Sequence, residues 1–444
     1  MSGVTMKRLV LNPFTLIALG VSAAFLLGTL PGCSKVTYPK ERLIARLIEI
    51  CQKEYNIKVG AKISGSNLGV HINFATLFGD NFDFKEDALN ILEDVLTSVR
   101  RVCLSTDSNF EFYTVVGSDR NNGVELVMTR NILDLKQVMY GNIGRNDYAQ
   151  RMMLKVRPDV NLLGERKLRK FFSDMATGRI ERIISNNFAT GTTLKDISSS
   201  FFLSLLELGM KGNIAFKIQE LKFIPVTADD GLFYVKVQET YVPKQGYETN
   251  SFSFPSGYEY EYLFLVSCKD FIPGIKKIIP LNSVDSLHKD KVNFPAEFAR
   301  YENVEAWGDD NFYLEEVTMP EFLANQIAQR IKSKINADAA TKLLYNIESI
   351  EGNYGFLKRP EMEGPEITTI KKQNYELVLR FKKKGSLQSE GLKAVPKQIL
   401  KISLDVIKEV CQNYHYEDFS KIRLLDTNNE ELLSVDSGIF KANP

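Results

Sequence analysis

The sequence predicts an α+β protein in which two similar helix-strand-strand-helix-strand-strand domains flank a central domain of helices and antiparallel sheet. Three observations carry that expectation. Apolar residues recur at three- and four-residue steps at Leu43, Ile44, Leu47, Ile48 and Cys51, and again at Ala88, Ile91, Leu92, Val95, Val99, Val102 and Cys103, which is the period of an amphipathic helix. Short runs rich in β-branched and aromatic residues, bounded by Gly, Asn and Ser clusters, follow these helices and read as strands. The helix Asn90–Cys103 also aligns without a gap onto Gln398–Cys411, and a strand, a turn that opens on Asp and closes on two Asn (Asp119 to Asn122, Asp426 to Asn429) and a second strand follow each copy.

Taken in order, residues 39–150 form the first domain. Pro39 opens its first helix, since a proline is tolerated only in the first turn. Strands over Ile57–Ile63 and Leu68–Phe74 are joined through Ser64-Gly65-Ser66-Asn67, and a helix over Lys85–Cys103 leads into a hairpin of Asn109–Val116 and Val124–Met128. The turn Asp119-Arg120-Asn121-Asn122-Gly123 supplies residues that tolerate left-handed backbone. Residues 160–318 form the central domain, with helices over Glu165–Asn187 and Thr193–Met210 and strands over Ile214–Val226, Leu232–Val242 and Tyr258–Cys268. Along the third strand Tyr258, Tyr260, Tyr262 and Phe264 share one face, which reads as core first and as the lining of an apolar ligand site second. Residues 319–440 repeat the first domain. A helix opened by Pro320 runs to Ile335, a strand covers Tyr375–Phe381, and an insert over Gly352–Lys372 replaces the short turn of the first copy.

The N-terminus carries an address. Lys7 and Arg8 precede an uncharged apolar run from Phe14 to Leu30 that stops at Pro31-Gly32-Cys33, the order of parts in a secretory signal. The run is shorter than the about 20 residues of a full membrane span, which favours cleavage over an uncleaved anchor. Leu30-Pro31-Gly32-Cys33 resembles the box of a bacterial lipoprotein signal. The resemblance implies removal of residues 1–32 after Gly32, a diacylglycerol on the Cys33 thiol, and a linker over residues 33–38. Ser34 after the lipidated residue implies an outer-membrane destination facing the periplasm. A cleaved signal without lipid would still put Ser34 onward outside the cytoplasm.

Composition narrows the partners. With 56 Lys and Arg against 55 Asp and Glu, the chain has no basic surplus for nucleic acid. The expected partners are the membrane, through the lipid, and another envelope protein. After Cys33, four cysteines remain in a compartment that permits disulfides. Core thiols are the first expectation, because Cys103 and Cys411 sit on apolar helix stripes; a Cys51–Cys103 bridge is the alternative. No Cys-x-x-Cys, zinc-binding His pair, nucleophile elbow or phosphate loop occurs, so neither a metal nor a cofactor is expected. Ser286-x-x-Lys289 matches the first motif of penicillin-binding enzymes, but their Lys-Thr-Gly element is missing.

A second resemblance concerns the first domain. Val70-His71-Ile72-Asn73-Phe74, Leu77-Phe78-Gly79 and Val115-Val116-Gly117-Ser118-Asp119 resemble the peptidoglycan-binding domain of the outer-membrane-protein-A type. It implies that Asp119 and Arg130 hold the wall peptide. The expected function is therefore a non-catalytic binding or scaffolding role in a lipid-anchored envelope protein, with a peptidoglycan tether as runner-up and an extracytoplasmic hydrolase third.

Overall fold

The computed structural model describes residues 37–79, 83–176, 180–192, 212–243, 259–281, 294–307, 315–337, 347–356, 375–383, 397–415, 419–425 and 431–436. The signal segment with Gly32 and Cys33, the helix expected over Thr193–Met210 and the Ser286–Lys289 motif lie outside them.

The first domain begins with a single 3-10 turn at Lys40–Arg42 and then α1 (Leu43–Tyr55). Helix α1 ends where Asn56 adopts a left-handed conformation, φ 57°, which its short amide side chain tolerates. Next come β1 (Val59–Ser64), β2 (Asn67–Phe74), α2 (Glu86–Leu104), β3 (Phe112–Asp119) and β4 (Val124–Asn131). The hairpin strand starts three residues later than expected, at Phe112, and runs on to Asp119. Beyond the expected elements are α3 (Ile132–Met139), capped by the Asn131 side chain, α4 (Arg145–Gln150) and a fifth strand, β5 (Met153–Pro158). The sheet order is β1-β2-β3-β4-β5; β2 and β3 are parallel and every other pair is antiparallel. Gly123 closes the β3–β4 turn at φ +67°, a conformation that suits glycine.

In the central domain, one expected helix is two: α5 (Val160–Ala176) and α6 (Ile180–Asn187). They lie on an antiparallel sheet of β6 (Gly212–Pro225), β7 (Asp230–Pro243), β8 (Glu259–Ser267) and β9 (Gly274–Pro280). Tyr260, Tyr262 and Phe264 are buried with Phe171 and Phe172, so the aromatic face is core. Helix α5 approaches the sheet so closely that a Cβ at Gly164 would collide with the Phe233 ring. Trp307 is buried against the opposite face, and its indole N–H donates to the Tyr301 carbonyl at 3.1 Å.

The last domain comprises α7 (Glu315–Ala337), β10 (Ile347–Phe356), β11 (Tyr375–Lys383), α8 (Lys397–Asn413), β12 (Phe419–Leu425) and β13 (Glu431–Asp436). Its order β10-β11-β12-β13, with β11 and β12 parallel, reproduces the connectivity of β1 to β4. Pro320 does not open α7, as the sequence suggested. The helix starts at Glu315 and carries Pro320 inside it, where the ring removes one backbone hydrogen bond.

The three domains interlock through the first sheet. One face packs on α1 and α2 through Val70, Ile72, Val115, Leu126 and Met128. The other presents Phe112, Val116, Val127 and Met153 to Phe322, Leu323 and Ile327 of α7. Helix α7 in turn packs on α8 and β12, so it is buried nearly all round from Val317 to Ala328, while its last turns keep an exposed polar face.

Candidate functional site

The face of the first sheet that meets α7 changes character along its length. Toward the Phe112 end Phe112 and Met153 surround a buried, mutually hydrogen-bonded set of Asn67, Thr114 and Thr129. Toward the Asp119 end it carries His71 and Asn73 from β2, Ser118 from β3, Glu125 from β4 and Arg157 from β5. These side chains share a face because they sit across from one another in register or two residues apart. Over them stand the start of α5 and the β6–β7 hairpin, with Val160, Phe223 and Pro225. Together they enclose a cleft of about 320 Å³.

The floor of the cleft is a chain of charges. Arg157 Nε donates to Glu125 at 3.1 Å, and its Nη1 donates to Glu321 of α7, also at 3.1 Å. Lys155 forms an ion pair with Glu321. Burial pushes Glu321 up, but the Lys155 and Arg157 cations outweigh it and hold the carboxyl below its usual range. Glu125 has only a share of Arg157. Burial and the nearby Asp159 carboxylate push it up to about 7. His71 is pushed down to about 4 by burial and by the Arg120 charge, so it is neutral at pH 7.

These two shifts oppose each other in solution. A depressed histidine makes stability fall as pH drops from about 6.5 toward 4, because the unfolded chain takes up the proton first. A raised glutamate makes stability fall as pH rises from 4.5 toward about 7. The His71→Asn protein is therefore expected to lose stability with rising pH across that window more steeply than the wild type. Urea midpoints at pH 5 and pH 7 measure it.

His71 Nε2 lies 2.9 Å from Ser118 Oγ, which invites comparison with a nucleophile and its base. The surroundings of the serine do not suit that role. Ser118 donates its one proton toward Glu125 at 3.4 Å, and Asp159 also draws on that hydroxyl. Ser118 Oγ is thus shared among His71, Glu125 and Asp159, and the imidazole tautomer sets whether His71 donates to it or accepts from it. Ser118 is also 2 % exposed in the middle of a sheet. No group of three His, Cys, Asp or Glu side chains suited to a metal exists among the described residues.

The two residues expected to hold a wall peptide do not come together. Asp119 ends β3 opposite Val124, whereas Arg130 lies at the far end of the same hairpin opposite Tyr113. Six residues of antiparallel strand, about 20 Å, separate them. Asp119 is buried, and its carboxylate accepts from the backbone N–H groups of Leu77, Phe78, Asn121 and Asn122 at 2.7–3.1 Å. Burial pushes its carboxyl up, but those N–H donors outweigh it and leave the pKa below its ordinary value. It ties the turn to the loop after β2. Asp119→Ala is expected to cost on the order of 2–3 kcal/mol by leaving buried N–H groups unpaired. Because the group is depressed, that contribution is present above the unfolded pKa near 4 and fades as pH falls below it. Thermal melts at pH 7 and pH 3 check both statements. Arg130 stacks 4.3 Å over the Tyr148 ring.

Cys51 and Cys103 are buried free thiols, so no bridge joins α1 to α2. Both pack in the apolar core of the first domain, and burial pushes both thiols up. No family model, curated protein or solved structure matches this chain.

The cleft is thus a polar pocket between two domains whose chemistry is hydrogen bonding and charge. Sequence reading missed it because single polar residues in five separate strands and loops show no pattern until the sheet aligns them. One signal was available: Glu125 interrupts the apolar run of Val124-Glu125-Leu126-Val127-Met128, and a charge there must find a partner.

Proposed function

We propose that this chain is a lipid-anchored envelope protein with a non-catalytic binding or scaffolding role. The N-terminal box Leu30-Pro31-Gly32-Cys33 carries the proposal. After cleavage, Cys33 would hold the acyl chains, and more than one chain is needed for a firm attachment. A scaffolding role is supported by the way the other two domains pack against the first sheet, with the Glu125-Arg157-Glu321 ion chain fastening first to last. The binding surface is the cleft above His71, Glu125 and Arg157, which suits a small polar ligand or a polar side chain of a partner. A hydrolase is disfavoured by the burial of Ser118 within the sheet. A peptidoglycan tether would need side chains other than the Asp119 and Arg130 pair.

Mass spectrometry of the mature protein is expected to find an acylated Cys33 as its first residue. Cys33→Ser is expected to leave the precursor uncut. An intact Met1 or an unmodified thiol at position 33 in the wild-type protein would overturn the proposal.

A further inference from the structure

We infer that α3 and the residue that follows it lie against the membrane that carries the N-terminal anchor, with Leu133, Met139 and Tyr140 entering the lipid headgroup region. This rests on the reading that Cys33 is acylated. Among the described residues only five large apolar side chains are well exposed, and three belong to this one stretch: Leu133 at 57 %, Met139 at 50 % and Tyr140 at 79 %. Leu133 and Tyr140 stand two turns apart on one side, and Met139 emerges in the last turn about 100° round from Tyr140, with Lys136 between them. A short helix that buries Ile132 and Leu135 inward and sets exposed Leu133, Met139 and Tyr140 around a lysine, Lys136, has the mixed apolar and basic outer side of an element lying in a membrane interface.

Position identifies the occupant. The N–H groups of Thr37 and Tyr38 both donate to the Ser105 carbonyl, and Tyr38 bridges Thr106. The chain therefore enters the fold at the end of the first sheet where α2 finishes, β3 begins and β4 runs into α3, since Phe112 pairs with Asn131. From Cys33 to Thr37 the backbone reaches at most about 14 Å. The acyl chains must sit beside this end of the domain, and α3 is the apolar surface there.

Charge agrees. Lys136 and Arg145 are exposed on α3 and α4, against one exposed acid, Asp147. Either cation can meet a lipid phosphate.

The test uses the full, processed protein reconstituted in vesicles of phosphatidylcholine and phosphatidylglycerol. Met139→Cys carries an environment-sensitive fluorophore; the four remaining thiols are buried and acylation occupies Cys33. Ser173→Cys is the reference, exposed on α5, which starts from the opposite end of the sheet. The label at 139 is expected to emit at shorter wavelength and to be quenched several-fold more by brominated lipid than the label at 173. Adding Leu133→Glu and Tyr140→Glu is expected to abolish the difference. Equal emission and quenching at the two positions, in protein shown by mass spectrometry to be acylated, overturns the inference and leaves the anchor reading standing. Protein that carries no acyl group overturns both.

Discussion

Arg157→Met is expected to destabilise the protein by about 3–5 kcal/mol, the cost of removing one member of a buried ion network. Arg157 is 7 % exposed and lies between Glu125 and Glu321, each also buried. Without it, Glu125 keeps no cation and Glu321 keeps only Lys155. Two carboxylates then face each other in a site that water reaches poorly, and Asp159 adds a third charge nearby. The loss is expected to shrink as pH falls, because carboxyls left without a cation bind protons and so relieve the repulsion. Urea unfolding followed by circular dichroism at pH 7 and pH 5 would measure both the loss and its trend. A variant as stable as the wild type at pH 7 would mean that the network contributes little to holding α7 on the first sheet.

Phe322→Ala is expected to cost about 3–5 kcal/mol through a cavity in the layer shared by the first and last domains. Phe322 is fully buried, with the Phe112 ring 5.4 Å away and the Tyr414 ring 5.1 Å away. Those three rings come from α7, β3 and the end of α8. Truncation therefore loosens a contact between domains, while Phe78→Ala would open the separate core under α1 and α2. Hydrogen exchange distinguishes the two. Phe322→Ala is expected to reduce protection in α7 and α8 first, whereas Phe78→Ala is expected to spare them. Reversed patterns would show that the two cores are not independent units.

Much of the architecture was legible before any coordinates. The stripe Ala88, Leu92, Val95, Val99, Val102 and Cys103 is the buried face of α2, because helical period and burial are the same constraint seen twice. The repeat was visible because Asn90–Cys103 and Gln398–Cys411 must present the same face to the same kind of sheet. Helix α3, α4, β5 and the central domain's fourth strand β9 were not found. The first two are short, and β5 reads Met153-Leu154-Lys155-Val156-Arg157-Pro158, whose charges resemble a solvated edge until Glu125 and Glu321 are seen beside them. Pro320 was misplaced because proline is far commoner in the first turn than inside a helix.

A further clue lay in the composition of two strands. Phe112-Tyr113-Thr114-Val115-Val116 and Val124-Glu125-Leu126-Val127-Met128 have little alternation, the mark of strands covered on both faces. What covers the second face could not be read, since α7 begins almost two hundred residues later in the chain and nothing local points to it.

The sequence alone determined the α+β class, the helical stripes, the duplicated unit and the expectation of a lipid at Cys33, all properties written in periodicity or in contiguous residues. Only the tertiary structure decided that the first sheet joins all three domains, that Asp119 and Arg130 stand at opposite ends of a hairpin, and that His71, Ser118, Glu125 and Arg157 meet in one cleft. The reason is physical: a strand fixes which face a side chain takes, but strand order and domain packing decide which other side chains it meets there.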